Sequence, residues 1–472
     1  GFEYGVDSDK IIVKRGDQLH RKFVIRREVP TDGWVSSDTH IHTLTYSKHG
    51  DATIEERALT IAGEGIELPI TTEHNITTDL KAVAKKMNVS AYFTPVMGME
   101  WTTSVGHFNL FPLSADEIIP NHQLKNWNVI TDSLNGFLKN GIVILNHARD
   151  IHNDFRPFDP RHHIAIAGLN VDGWNIPANA MEVINSGSQQ TDPMRLLYDW
   201  FGMLNRGYFL TPAGSSDSHD VGRYLVGQAR TYIRCADKDA GQINIKEAVQ
   251  NFKEGKVMVS FGLLTEIRIN NRYGPGALVP ASDKIKVSVR VLGPEWIKAD
   301  GISLYANGVR IRGAEIKQVR RAGIKWQGTW VIPRPKHDIF LVAVAEGPGT
   351  LLPFWPIAKP YQPATPEWSP SVMGISGAVW IDGDKNGPRN SAYSYAKELI
   401  NDSNHDINRL VEKLAAYDKA VTIQAAALLA EQGWTVTKNE LINSLNKAQP
   451  ATKIGFLEFI SEWEKAQPKN RE

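Results

Sequence analysis

The sequence contains a single cysteine, Cys235, among 472 residues. One thiol excludes an internal disulfide framework and any zinc site built from several cysteines. Long apolar runs are lacking too, because no stretch approaches the roughly 20 residues that a membrane-spanning helix needs. Neither a disulfide scaffold nor an integral membrane protein is therefore expected.

Charge of one sign is also lacking, since 53 Lys and Arg balance 52 Asp and Glu to a net charge of +1. That balance provides no global field for nucleic acid or an anionic membrane. The phosphate-binding patterns GxxxxGK(S/T) and GxGxxG and the nucleophile turn GxSxG are absent as well. Kinase, dehydrogenase and serine-hydrolase chemistry are thus disfavoured.

The pattern of apolar residues changes several times along the chain. Up to about Phe261, short apolar runs alternate with helical stretches, which is typical of β/α units. Residues 284–291 alternate between apolar and polar, which predicts a half-buried strand, and a hairpin is expected to turn at Asn307-Gly308. The predicted units are an N-terminal extension or end of a preceding β domain (1–31), a β/α domain (32–263), a small β-sandwich (264–356), a proline-rich linker (357–390) and a helical tail (391–472).

Histidines are concentrated early in the chain: 12 of the 14 precede residue 220, and 11 of these lie in the β/α region. Several lie with carboxylates at the ends of predicted strands, which would meet at one face of a β/α barrel. Any one of them alone is more often a hydrogen-bonded structural histidine. Together they predict a metal site, whereas His122, His152, His162 and His163 lie in loops without strand context and are not expected to be ligands.

The ordered motifs resemble a known superfamily of metal-dependent hydrolases. The motifs are DTHIH at Asp38, TEHN at Thr72, GME at Gly98, GH at Gly106, NHAR at Asn146 and SDSHD at Ser216. The set is similar to that of the PHP (polymerase and histidinol phosphatase) superfamily. TEHN, the HGD at His49 and the trailing sandwich resemble its carbaryl-hydrolase-like (CehA/McbA-type) branch. The resemblance covers roughly residues 32–356.

This resemblance implies a distorted seven-stranded, TIM-like β/α barrel that holds two or three divalent metals. Glu73 stands where the superfamily often has Asp, and a supporting role is expected for it. His49 lies on a loop, so the alternative of a solvated histidine stays open. The implied ligands are His40, His42, Glu100 and Asp217 in one site, Glu100, His107 and His147 in a second, and His49, His74 and His219 in a third.

Imidazole and carboxylate ligands without thiolate suit Zn, Mn or Fe. A carboxylate that bridges two metals holds them roughly 3.5–4 Å apart, so a hydroxide forms between them near neutral pH. Glu100 and Asp217 are therefore the expected catalytic carboxylates of a hydrolase acting on a small phosphoester or a carboxyl or carbamate ester. The alternative is a degenerate scaffold that binds metal and serves as a binding or interaction protein.

Two arginines follow ligand motifs closely enough to reach a substrate. Arg149 lies two residues beyond His147, and Arg223 lies four beyond His219. Arginine donates two parallel hydrogen bonds to an oxyanion. Both are expected near the substrate, with pairing to Asp150 or Asp220 as the structural alternative.

A second cation site is suggested by DGDKNG, beginning at Asp382. Asp382, Asp384 and Asn386, followed by Gly387, match the first half of a calcium loop. Tyr393 stands at the twelfth position, where a Glu is expected, so a tight polar turn is the alternative.

The chain begins GFEYGVDSDK, without a Met or a signal peptide. This start, together with the fused sandwich, favours a processed periplasmic or extracellular protein.

Overall fold

The computed structural model describes residues 1–317, 321–350, 354–404, 406–433 and 439–466. It has a mixed α/β architecture, as predicted. The strands of the first half are β1 Trp34–Ser37, β2 Ile70–Thr71, β3 Val96–Met97, β4 Met99–Thr103, β5 Gly106–Phe111, β6 Ile142–Leu145, β7 His163–Ile164, β8 Leu169–Asn170, β9 Ala180–Asn185, β10 Thr211–Ser215, β11 Ala229–Arg234 and β12 Val257–Phe261.

The helices between these strands are capped by residues that the sequence provides locally. α2 begins after Thr53, whose side chain forms a capping box with Glu56, and it ends at Gly65 in the left-handed conformation. The six helices are α1 Leu44–Ser47, α2 Ile54–Glu64, α3 Lys81–Lys86, α4 Trp127–Asn140, α5 Arg195–Arg206 and α6 Ile245–Lys253.

A five-stranded sheet, in the order β10-β9-β6-β5-β4, forms the centre of the β/α region. β6, β9 and β10 are parallel, whereas β5 is antiparallel to both β4 and β6. Every residue of β6 and β9 is buried, as expected for parallel strands covered on both faces.

Three isolated parallel bridges link strand ends outside this sheet. Ile41 pairs with Thr71 and also with Ser218, and His74 pairs with Glu100. The hydrogen-bonded sheets of the described residues do not form a closed barrel. The first two bridges join the segment after β1 to β2 and to the segment after β10. The third joins the segment after β2 to β4.

The second half of the chain contains nine strands and five helices in its described residues. The strands are β13 Leu264–Ile269, β14 Leu278–Pro280, β15 Lys284–Gly293, β16 Gly301–Ala306, β17 Val309–Glu315, β18 Gly323–Pro333, β19 Ile339–Pro348, β20 Ser371–Ser376 and β21 Val379–Asp382. The helices are α7 Ala392–Asp402, α8 Ile407–Leu414, α9 Lys419–Glu431, α10 Asn439–Leu445 and α11 Pro450–Ala466.

The predicted strand and hairpin of this half are both present. β15 alternates between buried valines or isoleucine and more exposed polar residues over residues 284–290. β16 and β17 are joined by Asn307 and Gly308, with φ of 46° and 81°. Two successive positive φ values are what a type I′ hairpin turn requires.

The sandwich boundary predicted at residue 264 does not separate the sheets. β1, β11 and β12 of the first half join β20, β19, β16 and β17 in one sheet, and β21 and β14 bring it to nine strands. Only β13, β15 and β18 form a separate three-stranded sheet. The two halves therefore share a continuous sheet.

The predicted linker at residues 357–390 is wrong for residues 371–382. This part forms β20 and β21, which pair with β12 and β19. The prolines on either side suggested a linker, but the apolar residues between them are buried in the main core. Two strands within a proline-rich segment are favoured because their side chains complete that core.

The two ends of the chain also pack onto the body. In the described structure, residues 1–31 form no helix or strand except a bridge between Tyr4 and Arg27. Phe2 and Val29 are nonetheless fully buried. In the predicted helical tail, α8 buries the face formed by Ile407, Leu410, Val411 and Leu414. Residues 405, 434–438 and 467–472 of this tail lie outside the described residues.

No helix in the described ranges has both the length and the apolar character needed to span a membrane.

Candidate metal centre

The predicted ligands converge because their strands end at one edge of the β/α region. β5 runs opposite to β4 and β6, so its first residues lie at the edge where its neighbours end. The side chains gathered there come from the segments after β1, β2, β6 and β10 and from β4 and β5; they are His40, His42, His74, Glu100, His107, His147, Asp217 and His219.

The first group joins His40 and His42 to two carboxylates. His40 Nε2 lies 3.2 Å from Glu100 Oε1 and 3.3 Å from Asp217 Oδ1. His42 Nε2 lies 3.3 Å from the same Asp217 oxygen and 3.7 Å from Glu100 Oε2. The structure thus brings together all four residues predicted for the first site.

The second group shares Glu100 with the first. His107 Nδ1 lies 3.1 Å and His147 Nε2 3.3 Å from Glu100 Oε1. His152 joins them, because its ring centroid lies 4.0 Å from that of His107 and one nitrogen of each ring lies within 4.8 Å of the others. His152 was not expected to be a ligand, but the structure places it where it could join this group.

The position of His152 could not be predicted from the sequence, because it depends on the loop beyond β6. His152 and Phe155 exchange backbone hydrogen bonds of 2.6 and 2.9 Å, so the chain turns back sharply there. This turn returns the imidazole to the edge where His107 lies. The only sequence signal was its distance of five residues from His147.

The third group contains His74 and His219, with His42 as the third imidazole within 4.8 Å. His49 contacts the group from its exposed side, with Nε2 3.2 Å from His74 Nε2 and its ring 4.2 Å from that of His219. Gly50 permits this approach, since a Cβ there would lie 2.4 Å from the His219 carbonyl oxygen. The structure brings together all three residues predicted for this site.

Several ring nitrogens in the cluster are buried without a hydrogen-bond partner. They are His40 Nε2, His42 Nε2, His147 Nδ1, His152 Nε2 and His219 Nε2. Buried polar atoms are almost always satisfied in folded proteins, so five orphans in one place need an explanation. Divalent metals provide one, because imidazole nitrogens beside carboxylates are metal ligands. The residues present fit such ions.

The other ring nitrogens are held by neighbouring residues. His40 Nδ1 lies 2.8 Å from Glu182 Oε1, and the Nδ1 of His219 lies 2.9 Å from the carbonyl oxygen of Asp217. Metal-binding histidines generally use their second nitrogen in this way, which fixes the ring orientation. Glu182 was not predicted, because it lies within the buried strand β9 with no histidine beside it.

Glu73 supports the centre without touching it, as expected. Its carboxylate accepts hydrogen bonds from Thr43 Oγ1 and Ser47 Oγ, both at 2.6 Å. Ser47 in turn lies 3.1 Å from His42 Nδ1. Glu73 therefore fixes the loop after β1 and, through Ser47, orients the ring of His42.

The two shared carboxylates are held in the ionised form. Burial alone would raise the pKa of Glu100, but the positive charges of His107 and His40 lower it well below its usual range. The pKa of Asp217 is likewise lowered well below normal by the charge of His40 and by its contact with His42 Nε2, against the effect of burial. Both carboxylates are therefore anionic at neutral pH and ready to bind cations.

The histidines of the cluster differ in whether their pKa is raised or lowered. Burial opposes charge on His40, but Asp217 and Glu100 raise its pKa well above normal. His147 has its pKa raised to about 9, despite burial, mainly by its hydrogen bond with Glu100. Burial lowers the pKa of His219 to about 4. Burial, together with the neighbouring imidazole of His219, lowers the pKa of His42 well below normal.

The two predicted substrate arginines lie in different environments. Arg149 donates from Nε and Nη2 to the two oxygens of Asp199, at 2.6 and 2.7 Å, and Asp199 is fully buried. The guanidinium of Arg149 is therefore occupied by a carboxylate on α5 rather than by Asp150, and this pairing gives no support to the predicted substrate-binding role. Arg223 is exposed, with its guanidinium 4.6 Å from the Tyr224 ring centroid, and its substrate role stays a prediction.

A chain of hydrogen bonds leads from the centre to the segment before β20. Ser188 Oγ donates to Asp217 Oδ2 at 3.0 Å and lies 3.3 Å from the hydroxyl of Tyr361. Tyr361 also donates to Asp150, a buried carboxyl. This predicted linker segment thus contributes to the surroundings of Asp217.

Comparisons with known proteins give no match: no family profile fits the chain, and no curated protein or solved structure is significantly similar to it. The superfamily resemblance stated from the motifs therefore stays a prediction.

Proposed function

We propose that the protein is a metal-dependent hydrolase of small-molecule esters. The observation that carries this proposal is the sharing of two ionised carboxylates among the imidazoles. Glu100 presents Oε1 to His40, His107 and His147 and Oε2 to His42 and His74. Asp217 presents Oδ1 to His40 and His42 and Oδ2 to His147. Such sharing is suited to a cluster of metals held a few Å apart.

Two or three divalent ions of Zn, Mn or Fe would be held by the three groups of side chains. Ions in such a cluster supply a hydroxide nucleophile near neutral pH and stabilise negative oxygens in the transition state. The side chains would hold the ions. Glu100 and Asp217 would bind them as anions, and Glu182 keeps the imidazole of His40 oriented. The substrate is a phosphoester or a carboxyl or carbamate ester.

We further propose that the strands around the centre belong to a distorted seven-stranded β/α barrel. Its strands would be those of the five-stranded sheet together with the extended segments after β1 and β2. The bridges of Ile41 to Thr71 and Ser218, and of His74 to Glu100, support this arrangement, because they connect those segments to β10 and β4. With the ordered motifs, this arrangement favours the PHP superfamily and its carbaryl-hydrolase-like branch.

A metal-dependence screen tests the proposed activity. Protein purified without chelator, with Zn²⁺ or Mn²⁺ added, is assayed on chromogenic phosphoesters, carboxylesters and carbamates. Turnover of one class is expected, together with loss of most activity in Glu100→Gln. Glu398→Gln, an exposed residue on α7, is the matched control and should keep full activity.

Turnover that is equal in wild type and Glu100→Gln would contradict the proposal. Bound metal without turnover on any ester class would instead favour the metal-binding scaffold.

A further inference from the structure

A second group of oxygen ligands lies far along the chain from the histidines. It contains Asp338, just before β19, with Asp382 at the end of β21 and Asp384 in the turn that follows. One carboxylate oxygen of each lies within 4.8 Å of the others. Asp338 and Asp382 are 1% and 7% exposed, so two of the three charges are shielded from water.

Backbone contacts hold the two segments together. Gly383 N donates to Asp338 Oδ1 at 2.9 Å, and a Cβ on Gly383 would lie 2.1 Å from the His337 carbonyl oxygen. Only glycine permits this approach, which brings Asp382 and Asp384 close to the Asp338 carboxylate. The contact between the two segments therefore depends on glycine at position 383.

One buried oxygen in the group has no partner. Asp382 Oδ2 accepts a hydrogen bond from Gly387 N at 3.2 Å, whereas Asp382 Oδ1 is buried without any hydrogen bond. An unpaired carboxylate oxygen in a buried position is costly unless a cation or donor covers it. With two further carboxylates beside it, a cation is the partner that the charges require.

We propose that Asp338, Asp382 and Asp384 bind a calcium ion. The donor set is oxygen only, which suits a hard cation rather than zinc. Asp382 and Asp384 occupy the first and third positions of a calcium-loop pattern, and Asp338 supplies the carboxylate that Tyr393 does not. Asn386 has a different part from the one predicted, because its side-chain amide donates to Asp384 Oδ2 at 3.0 Å.

The ion would join the sheet to the helical tail. Tyr395 on α7 donates its hydroxyl proton to Asp384 Oδ2 at 2.8 Å and accepts from Asp338 N at 3.1 Å. Two of the residues that would bind the cation, Asp338 and Asp384, therefore also contact the first helix of the tail. Calcium binding should stabilise the attachment of α7 to β19 and β21.

Terbium luminescence on the full-length, zinc-loaded protein tests the proposal. Tb³⁺ takes calcium sites, and Tyr395 lies in contact with Asp384, so excitation of tyrosine should sensitise the ion. We expect a signal that Ca²⁺ displaces, and Ca²⁺ should raise the melting temperature. In Asp382→Asn and Asp384→Asn, binding should weaken by roughly tenfold or more, since each removes a charged ligand.

Asp283→Asn, an exposed aspartate before β15, is the matched control and should behave as wild type. Because Asp384 is exposed, its variant should fold even if Asp382→Asn does not. A terbium signal of equal strength in wild type and Asp384→Asn would overturn the proposal, as would a wild type that neither binds Tb³⁺ nor is stabilised by Ca²⁺.

Discussion

The imidazoles of the metal centre hold different numbers of protons when no metal is bound. His40 faces several carboxylates and has its pKa raised well above normal, and His147 has its pKa raised to about 9. His42 and His219 have lowered pKa values and are neutral at pH 7. Metals bind only the neutral form, so they must displace protons from the first pair.

Metal binding at pH 7.5 should therefore release roughly two or more protons per chain. Calorimetric titration of metal-free protein with Zn²⁺, in buffers of different ionisation enthalpy, measures this number. Because protons compete with metal, apparent affinity should rise with pH and level off above about 9, the pKa of His147. Proton release near zero, or affinity that falls between pH 6 and 9, would show that the metal binds elsewhere.

His152 is expected to be a ligand even though it lies on a loop. Its ring is adjacent to His107 and His147, and its Nε2 is buried without a partner. Replacement by alanine should lower metal content and activity while leaving the fold intact, as measured by elemental analysis and circular dichroism. His122→Ala, on an exposed loop, is the control; equal metal content in both variants would remove His152 from the centre.

At the scale of single residues, the sequence predicts ligands better than it predicts their supports. Most predicted ligands, such as His40, His74 and His147, are recognisable because they lie just beyond the end of a short apolar strand. His152 depends on a reversed loop and Glu182 on the register of β9, neither of which leaves a local pattern. Arg149 looked available for substrate because its partner Asp199 is 50 residues away.

At the scale of elements, the Arg149–Asp199 pair connects the loop after β6 to α5. The side chain of Arg149 is 10% exposed and that of Asp199 is 0% exposed. Arg149→Ala should cost roughly 3–5 kcal/mol of unfolding free energy, because it leaves a buried carboxylate without its cationic partner. Urea unfolding measures this cost, and metal content should not change in the folded variant.

Arg223→Ala is the matched control, since its guanidinium is exposed against Tyr224; it should change stability by less than about 0.5 kcal/mol. A stability of Arg149→Ala equal to that of the control, with activity lost, would return Arg149 to the substrate site.

Elements whose apolar residues recur at a regular spacing were predictable from the sequence. Strands that depend on pairing with distant segments were not. β15 and α8 show one-sided apolar patterns at periods of two and 3.6, so their buried faces follow from the sequence. β20 and β21 lie among prolines, and their strand character depends on β12 and β19 as partners. The sandwich boundary at residue 264 was not predictable for the same reason. Whether one sheet continues across it depends on which strands pair.

At the scale of the whole molecule, the helical tail packs against the β/α region. Ile164, Ala167 and Leu169 share one apolar core with α7, α8, α9 and α11. Gln424 Nε2 also donates to the carbonyl oxygen of Ala167 at 2.9 Å. The tail therefore covers a surface that would otherwise expose apolar side chains.

Truncation after residue 390 should lower the melting temperature of the remaining protein and increase amide exchange around residues 163–170. Scanning calorimetry and hydrogen exchange measure these effects, with the full-length chain as reference. An unchanged melting temperature and unchanged exchange in the truncated protein would mean that the tail is a separate unit.

Elemental analysis of the whole folded protein tests the central claim most directly. Protein purified without chelator and then supplied with Zn²⁺ or Mn²⁺ should contain two or more transition-metal ions per chain, because the shared carboxylates connect several imidazole groups. The content should drop in Glu100→Gln and stay unchanged in Glu398→Gln. Well-folded protein without any bound transition metal would contradict the account.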